Sequence, residues 1–248
     1  MHNLFSVEDR VALVTGASSG LGAHCAQVLH DQGACVIGLS RSVGEFSACL
    51  KSAQSAFISS DLSKEQNWTE LAQTVTNHFG APDILINAAG VNLRKHADVT
   101  STEDWATTVT LNLTAPFFLA QSLVPAMKAR GFGRIINFAS LQSERAFKNG
   151  LAYGVTKGGV AQMTRAMAEA WSAYGVNTNA LAPGFFPTQL TAPVFDDQEA
   201  ITKLANQTCI GRNGQMSDMD GPLLFLSSDA SVYVTGQLLY VDGGFTAK

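Results

Sequence analysis

Short apolar runs alternate with longer amphipathic segments along this chain. The runs are rich in Val, Ile and Leu and lack polar alternation, which is typical of parallel strands buried on both faces. They predict strands at residues 11–15, 35–39, 56–59, 83–86, 133–138, 176–181 and 237–241. The segments between them predict helices at residues 23–31, 64–79, 104–130, 151–174 and 218–227. The pattern indicates an α/β fold, a doubly wound sheet of about seven parallel strands with helices on both faces.

The chain reads as a single domain over residues 1–248. It contains no internal repeat, low-complexity tract or linker that would mark a second domain. The longest irregular stretch is about 185–211, and it carries two prolines. A segment of this length between elements is uncommon unless it is functional or disordered, so we predict a lid over a substrate site.

A glycine-rich segment, G-A-S-S-G-L-G from Gly16 to Gly22, stands between the first strand and the first helix. In that context Gly16 permits a tight turn, Gly20 lets main-chain amides approach a pyrophosphate, and Gly22 allows close packing of helix on strand. The helix N-terminus would then face the phosphate. A glycine-rich turn without a ligand is the alternative.

The end of the second strand bears on the choice of dinucleotide. An acidic residue about 20 positions after the glycine turn would bind the 2′-hydroxyl of NAD. Ser40 and Arg41 stand there instead, and a guanidinium suits the 2′-phosphate of NADP. A solvated surface arginine is the alternative, so NAD stays possible.

Other strand ends supply further candidates, because ligands bind at the carboxyl ends of strands in such sheets. Asp61 either caps the following helix or accepts from the adenine amino group. Thr188 either bonds a nicotinamide amide or phosphate or caps a helix. The predicted dinucleotide contacts are Gly16, Ser18, Ser19, Gly20, Leu21, Gly22, Ser40, Arg41, Asp61, Leu62, Asn87, Ala88, Gly90, Tyr153, Lys157, Pro183, Gly184, Phe186 and Thr188.

A tyrosine and a lysine four residues apart are the candidate acid/base pair. Tyr153 and Lys157 share one face of a predicted helix, and Ser140 ends the strand before it. We expect the ammonium to lower the pKa of the phenol. By itself the spacing is more typical of a surface pair on an amphipathic helix. Asn112 lies in a predicted helix among apolar residues, and Pro116 after it predicts a kink that frees a carbonyl.

Composition and charge exclude several classes of function. A net charge of −4 and a pI near 5.7 do not support a nucleic-acid partner. The four cysteines show no metal-ligand spacing, so no metal site is predicted. The first residues resemble neither a signal nor a transit peptide, and no uninterrupted apolar run approaches a membrane span of about 18 residues. We therefore expect a cytoplasmic protein with no membrane partner.

Taken together, T-G-A-S-S-G-L-G, N-A-A-G, Asn112, Ser140, Y-G-V-T-K and P-G-F-F-P-T resemble the short-chain dehydrogenase/reductase family over essentially the whole chain. The resemblance implies a Rossmann fold, a nicotinamide cofactor, a homotetramer and a tetrad of Asn112, Ser140, Tyr153 and Lys157. It implies that Tyr153 exchanges the proton, Ser140 polarises the carbonyl, Lys157 binds the ribose and Asn112 anchors a water. The chain reads Ala88 where the family usually has a second asparagine.

Within the family, S-L-Q-S-E, the Arg-Lys pair after N-A-A-G-V-N-L and A-P-G-F-F-P-T-Q-L are similar to gluconate 5-dehydrogenases and deoxygluconate dehydrogenases. A keto sugar acid would need a cation for its carboxylate, which Arg94 could supply, and polar groups for its hydroxyls, such as Gln142 and Glu144. Ser140 and Tyr153 would face the reacting oxygen. The alternatives are a 3-oxoacyl-[acyl-carrier-protein] reductase and a non-catalytic dinucleotide-sensing protein.

Overall fold

Seven parallel strands form the single sheet of the computed structural model, which describes residues 3–248. The strands are β1 (Val11–Thr15), β2 (Cys35–Ser40), β3 (Ser55–Ser59), β4 (Ile84–Asn87), β5 (Gly133–Phe138), β6 (Val176–Pro183) and β7 (Leu238–Val241). Their order in the sheet is β3-β2-β1-β4-β5-β6-β7, and all pairs are parallel. The chain reverses direction across the sheet between β1 and β4, which is where such folds bind ligands.

Helices cover both faces of this sheet. They are α1 (Gly20–Asp31), α2 (Trp68–Phe79), α3 (Thr102–Val109), α4 (Ala115–Arg130), α5 (Leu151–Trp171), α6 (Ala192–Phe195), α7 (Gln198–Gln207) and α8 (Asp220–Ser227). Ala12 and Val14 of β1 pack in one apolar cluster with α1 and α8, and Leu13 packs in another with α2 and α4. Alternate side chains of one strand thus enter opposite cores, which explains the continuous apolar runs.

The predicted start of α2 is wrong. Instead of beginning at Lys64 after a cap at Asp61, the helix begins at Trp68, where Asn67 Oδ1 accepts from the Glu70 N–H at 3.3 Å. Asp61 Oδ1 accepts from the N–H and hydroxyl of Ser63 and closes a separate turn. That local turn uses the carboxylate that a helix cap would need.

The long helix predicted over residues 104–130 is a continuous helical segment that contains one π-helical turn. Ser101 caps α3, and a π-helical turn, Thr110–Thr114, joins α3 to α4. By length and composition alone the run Thr102–Arg130 could cross a membrane. In its second half Leu119 and Met127 are buried against the sheet, as in core helices that pass the same test.

Candidate active site

One cavity of about 760 Å³ opens at the carboxyl ends of the strands. Of the twenty-four residues predicted from the sequence to bind dinucleotide, bind substrate or catalyse, twenty-one line it, and the exposed Glu144 does not. The other two exceptions are Asn87 and Asn112, whose side chains are buried in the protein instead. The sheet therefore brings residues from across the whole chain to one site, as the strand-end rule predicts.

The glycine segment leaves no room for a side chain at Gly16 or at Gly22. Gly16 has φ +68°, and a Cβ there would lie 2.8 Å from the Ala89 nitrogen. A Cβ at Gly22 would lie 2.3 Å from the Gly16 carbonyl oxygen. Since α1 begins at Gly20, its free N–H groups face the cavity, and the segment fits a dinucleotide pyrophosphate.

The far end of the cavity carries the residues predicted to choose between NAD and NADP. Ser40 Oγ donates to the Ser42 carbonyl at 2.7 Å, and Arg41 is exposed beside it. Within the described residues Arg41 has no carboxylate within 4 Å. Asp61 also lines this end; hydrogen bonds from Ser63, with the Arg41 charge nearby, lower the pKa of its carboxyl. This end of the cavity therefore presents the guanidinium of Arg41 and the carboxylate of Asp61.

The two buried asparagines predicted for the site, Asn87 and Asn112, support the cavity wall. Asn87 Nδ2 donates to Asn137 Oδ1 at 2.9 Å, linking β4 to β5. Asn112 Oδ1 accepts from the Val91 N–H at 2.8 Å, and its Nδ2 donates to the Val91 carbonyl at 2.9 Å. Asn112 thereby holds the loop after β4 in place. Pro116 has no N–H and therefore cannot donate to the main-chain carbonyl of Asn112, four residues before it.

Sequence reasoning missed Thr15 as the residue that organises the loop of Ala88 and Ala89. Its hydroxyl accepts from both main-chain N–H groups at 3.1 Å and donates to the Ile86 carbonyl. The signal was the threonine immediately before the glycine segment, in T-G-A-S-S-G-L-G. A loop held in this way stays flat against the cavity.

Tyr153, Lys157 and Ser140 lie together in the cavity wall. Lys157 Nζ is 5.4 Å from the Tyr153 ring centroid and donates to the Phe138 carbonyl at 2.5 Å. Ser140 Oγ accepts from the Gln142 N–H at 3.1 Å, and the Ser140 hydroxyl also interacts with the Tyr153 phenol. The side chains come from the start of α5 and the end of β5.

The expected effect of Lys157 on the tyrosine is wrong for the protein without a dinucleotide. Burial raises the pKa of Tyr153, while the neighbouring Ser140 hydroxyl and the Arg94 charge lower it to a smaller extent. Burial also lowers the pKa of the Lys157 ammonium to about 8. Both shifts follow from removing a charged form from water, which local spacing does not reveal.

Arg94 and Gln142 line the substrate side of the cavity. Arg94, with φ +52°, donates from Nη2 to the Leu190 carbonyl at 3.0 Å, whereas Lys95 pairs with Asp104. Gln142 Oε1 is buried and has no hydrogen-bond partner within residues 3–248. Glu144 is exposed and does not line the cavity. Further lining residues that the sequence did not single out are Phe147, Lys148, Val194, Lys203, Leu204 and Gln207.

The segment predicted as a lid contains two helices, α6 and α7. Ala200, Lys203, Leu204 and Gln207 of α7 line the cavity, and their spacing puts them on one helix face. Thr188 precedes the turn Gln189–Thr191: its N–H donates to the Thr191 hydroxyl at 3.0 Å, and the two hydroxyls lie 2.9 Å apart. Its side chain also lies against Gly20, at the phosphate end of the cavity.

Comparison with known proteins agrees with this geometry. A family model described as enoyl-(acyl carrier protein) reductase matches residues 16–246. Gluconate 5-dehydrogenase of Gluconobacter oxydans is 38% identical, covering 99% of this chain and 98% of its own length. The 2-dehydro-3-deoxy-D-gluconate 5-dehydrogenase of Bacillus subtilis is 36% identical over 100% of this chain and 99% of its own.

A solved structure gives the same result for the fold. The gluconate 5-dehydrogenase of Burkholderia cenocepacia, in complex with NADP and tartrate, superposes with a TM-score of 0.93 at 34% identity. The match covers 99% of this chain and 98% of that one. The chain belongs to the short-chain dehydrogenase/reductase family and is an NAD(P)-dependent oxidoreductase acting on CH–OH groups.

Proposed function

We propose that the chain interconverts a keto sugar acid and its secondary alcohol, with NADPH and NADP as the preferred dinucleotide pair. The observation that carries the proposal is the charge of the cavity. Five cations and one carboxylate line it, although the chain has 16 Lys and Arg against 20 Asp and Glu. The charged lining residues are Arg41, Arg94, Lys148, Lys157, Lys203 and Asp61. Such a lining attracts anions, namely a dinucleotide and an acid substrate.

Tyr153 is the proton donor in the reducing direction. When bound, the dinucleotide supplies the hydride. The phenol gives its proton to the carbonyl oxygen, and the raised pKa keeps that proton in place at neutral pH. In the oxidising direction the deprotonated Tyr153 side chain accepts the proton of the substrate alcohol. The burial that raises the pKa therefore favours reduction at neutral pH and oxidation as the pH rises.

Three residues hold the reacting groups. The Ser140 hydroxyl would donate a second hydrogen bond to the carbonyl oxygen, and the Lys157 ammonium would hold the nicotinamide ribose. The Asn112 side chain holds the loop at Val91 in place, and the main-chain carbonyl of Asn112 would anchor a water. Because Tyr153 and Ser140 would bond the same oxygen, both stabilise the charge that develops there in the transition state.

Two groups recognise the substrate. Arg94 retains donors beyond the one bonded to Leu190, and we assign them to the substrate carboxylate. The Gln142 side chain, which also lines the cavity, would meet a substrate hydroxyl. The lid, residues 185–211, closes over this end of the cavity. The names of the relatives, gluconate and 2-dehydro-3-deoxy-D-gluconate 5-dehydrogenases, support the same substrate class.

A panel assay tests the proposal. Oxidation of NADPH and NADH is followed with 5-ketogluconate, other keto sugar acids, an uncharged ketone and an acetoacetyl thioester. We expect turnover of a keto acid with NADPH; preference for the thioester would favour an acyl-carrier-protein reductase instead. Tyr153→Phe should abolish turnover and retain NADPH binding, whereas a dinucleotide sensor would have no turnover to lose.

Arg94→Gln separates substrate recognition from catalysis. We expect the KM of the keto acid to rise about 30-fold, the loss of one charge-assisted contact, with the uncharged ketone unaffected. Lys64→Gln is the matched control, because Lys64 is exposed outside the cavity. Equal effects on the charged and uncharged substrates would contradict a carboxylate clamp.

We also propose a cytoplasmic homotetramer. Exposed apolar side chains on α3, α4 and α5 support helix pairing between copies, since such surface is normally covered. They are Trp105, Phe118, Leu151 and Val155. The four cysteines are free thiols, as expected in a reducing compartment. Sedimentation should give four times the 26.2 kDa chain mass, and a monomer would contradict the assembly.

A further inference from the structure

The segment after β7, residues 242–248, lies outside the cavity and contacts the chain segments that form its substrate side. We propose that this 242–248 segment positions the lid over the cavity, with Phe245 and Lys248 as its positioning residues. The inference rests on the proposed function, because it assigns residues 185–211 as the lid. None of residues 242–248 lines the cavity itself, so the action is through other residues.

The first attachment is at the end of the lid. The Gly243 carbonyl accepts from the N–H groups of Cys209 at 2.8 Å and Ile210 at 3.2 Å. Gly243 has φ +63°, and a Cβ there would lie 2.9 Å from the Ile210 side chain. Gly244 continues the contact, since its carbonyl accepts from Cys209 Sγ at 3.2 Å. The carboxyl end of the lid, at Cys209 and Ile210, therefore contacts the main chain of Gly243 and Gly244.

The second attachment is at the carboxyl end of α7. Lys248 Nζ donates to the Asn206 carbonyl at 3.0 Å and to the Thr208 carbonyl at 3.3 Å. These carbonyls belong to the last turn of α7 and the residue that follows it, where helical partners are missing and the dipole is negative. The ammonium therefore stabilises the end of the helix whose other face, with Lys203 and Leu204, lines the cavity.

The third attachment is an aromatic cluster that includes the lid entry. The Phe245 ring lies 5.8 Å from that of Phe185 and 6.3 Å from that of Phe147, centroid to centroid. Phe147 and Phe185 are 6.1 Å apart and both line the cavity, while Phe245 behind them is 3% exposed. Phe245 thus supports two side chains of the cavity wall that come from different segments.

Arg145 connects the same segment to the loop between Ser140 and Tyr153. Its Nη2 donates to the Lys248 main-chain oxygen at 3.1 Å, and its guanidinium lies 5.5 Å from the Phe245 ring centroid. Three parts of the substrate side therefore share one support: the lid entry, the lid exit and the loop of Phe147. The glycine segment at the pyrophosphate end has no part in these contacts. Loosening the support should weaken substrate binding far more than dinucleotide binding.

The test uses Phe245→Ala, Phe245→Leu and Lys248→Met in the full chain, with Lys51→Met as the control for an exposed lysine away from the cavity. Three quantities are measured: KM and kcat for the best carbonyl substrate of the panel, the NADPH dissociation constant, and amide hydrogen exchange by peptide.

We expect Phe245→Ala to raise the KM at least tenfold and Lys248→Met about threefold, with NADPH binding within twofold of wild type. Exchange should accelerate in residues 198–210 and remain unchanged in residues 16–31. Phe245→Leu, which keeps an apolar side chain, should recover most of the loss, and Lys51→Met should resemble wild type.

Unchanged KM and unchanged exchange in a folded Phe245→Ala variant would overturn the inference. So would an equal loss of substrate and NADPH binding, since that would show general support of the whole cavity. If Phe245→Ala does not fold, Lys248→Met decides, because that side chain is exposed. If the wild-type protein reduces none of the carbonyl compounds, the proposed function fails, and exchange in residues 198–210 still decides whether residues 242–248 hold them.

Discussion

Replacing the buried Lys157 by methionine should change how the stability of the dinucleotide-free protein depends on pH. Lys157 is 5% exposed, and burial lowers its pKa from 10.5 to about 8. The folded protein therefore releases this proton more readily than the unfolded chain does. Between the two pKa values the unfolded chain holds the extra proton, so the free energy of unfolding rises with pH.

The size of the effect follows from the shift. The stabilisation is fully present above the unfolded pKa of 10.5 and is lost as the pH falls through about 8. Each pKa unit corresponds to about 1.4 kcal/mol, so the whole shift corresponds to about 3 kcal/mol. Most of that difference, about 2.5 kcal/mol, should develop between pH 7 and pH 10.

The assay is urea unfolding of wild type and Lys157→Met at pH 7 and pH 10 without dinucleotide. Tyr153 and the buried Cys25 also titrate in this range or above it, but they are present in both proteins, so their contributions cancel in the comparison. Wild type should gain about 2.5 kcal/mol over the variant on going to pH 10. Parallel pH profiles of the two proteins would refute the reasoning, because they would mean that the Lys157 ammonium remains solvated.

Three further changes test the site and its supports. Arg41→Ala should raise the KM of NADPH by tenfold or more and leave that of NADH unchanged, by steady-state kinetics; equal changes would remove the 2′-phosphate assignment. Gly22→Ala should lower the free energy of unfolding by about 2 kcal/mol or more, because the new Cβ would meet the Gly16 carbonyl, whereas Gly158→Ala, with its nearest contact at 3.8 Å, should be neutral or stabilising. Asn112→Ala should lower it by about 3 kcal/mol in urea unfolding, since two buried main-chain groups lose their partner, and a loss under about 1 kcal/mol would contradict that role.

The strands could be predicted closely because burial on both faces leaves continuous apolar runs. The predicted bounds of β1 and β5 agree with the structure. β2 and β4 each extend one residue further, through Ser40 and Asn87, because the ladder continues where the side chains turn polar. Apolar patterning reports burial and not hydrogen bonding, so it cannot locate a polar strand end.

The start of α2 could not be predicted, because residues 60–67 contain several side chains that could cap a helix. Asp61 and Asn67 are equally suitable by type, and the choice depends on Ser63, which engages Asp61 in its own turn. Such competition among local hydrogen bonds is decided by the surrounding packing.

Some features of the candidate site could likewise be predicted from the sequence, and others could not. The convergence of the glycine segment, Ser140 and Tyr153 follows from the positions of strand ends and could be predicted. The raised pKa of Tyr153 depends on its burial, which the local spacing of residues does not reveal. The same holds for the contact of Phe147, Phe185 and Phe245, since no local pattern pairs residues at such separations.

The π-helical turn at Thr110–Thr114 sets the rotation of everything that follows it in the run. A π-helical turn holds one residue more than an α-helical turn, so winding the same residues as a regular α-helix would rotate α4 by about 100° relative to α3. Leu119 and Met127 would then leave the core, and Asn112 would no longer face Val91. The fit of α4 to the sheet and the hold on the cavity loop thus depend on one surplus residue. A sequence that wound these residues as a regular α-helix would need a different stripe of apolar positions along α4.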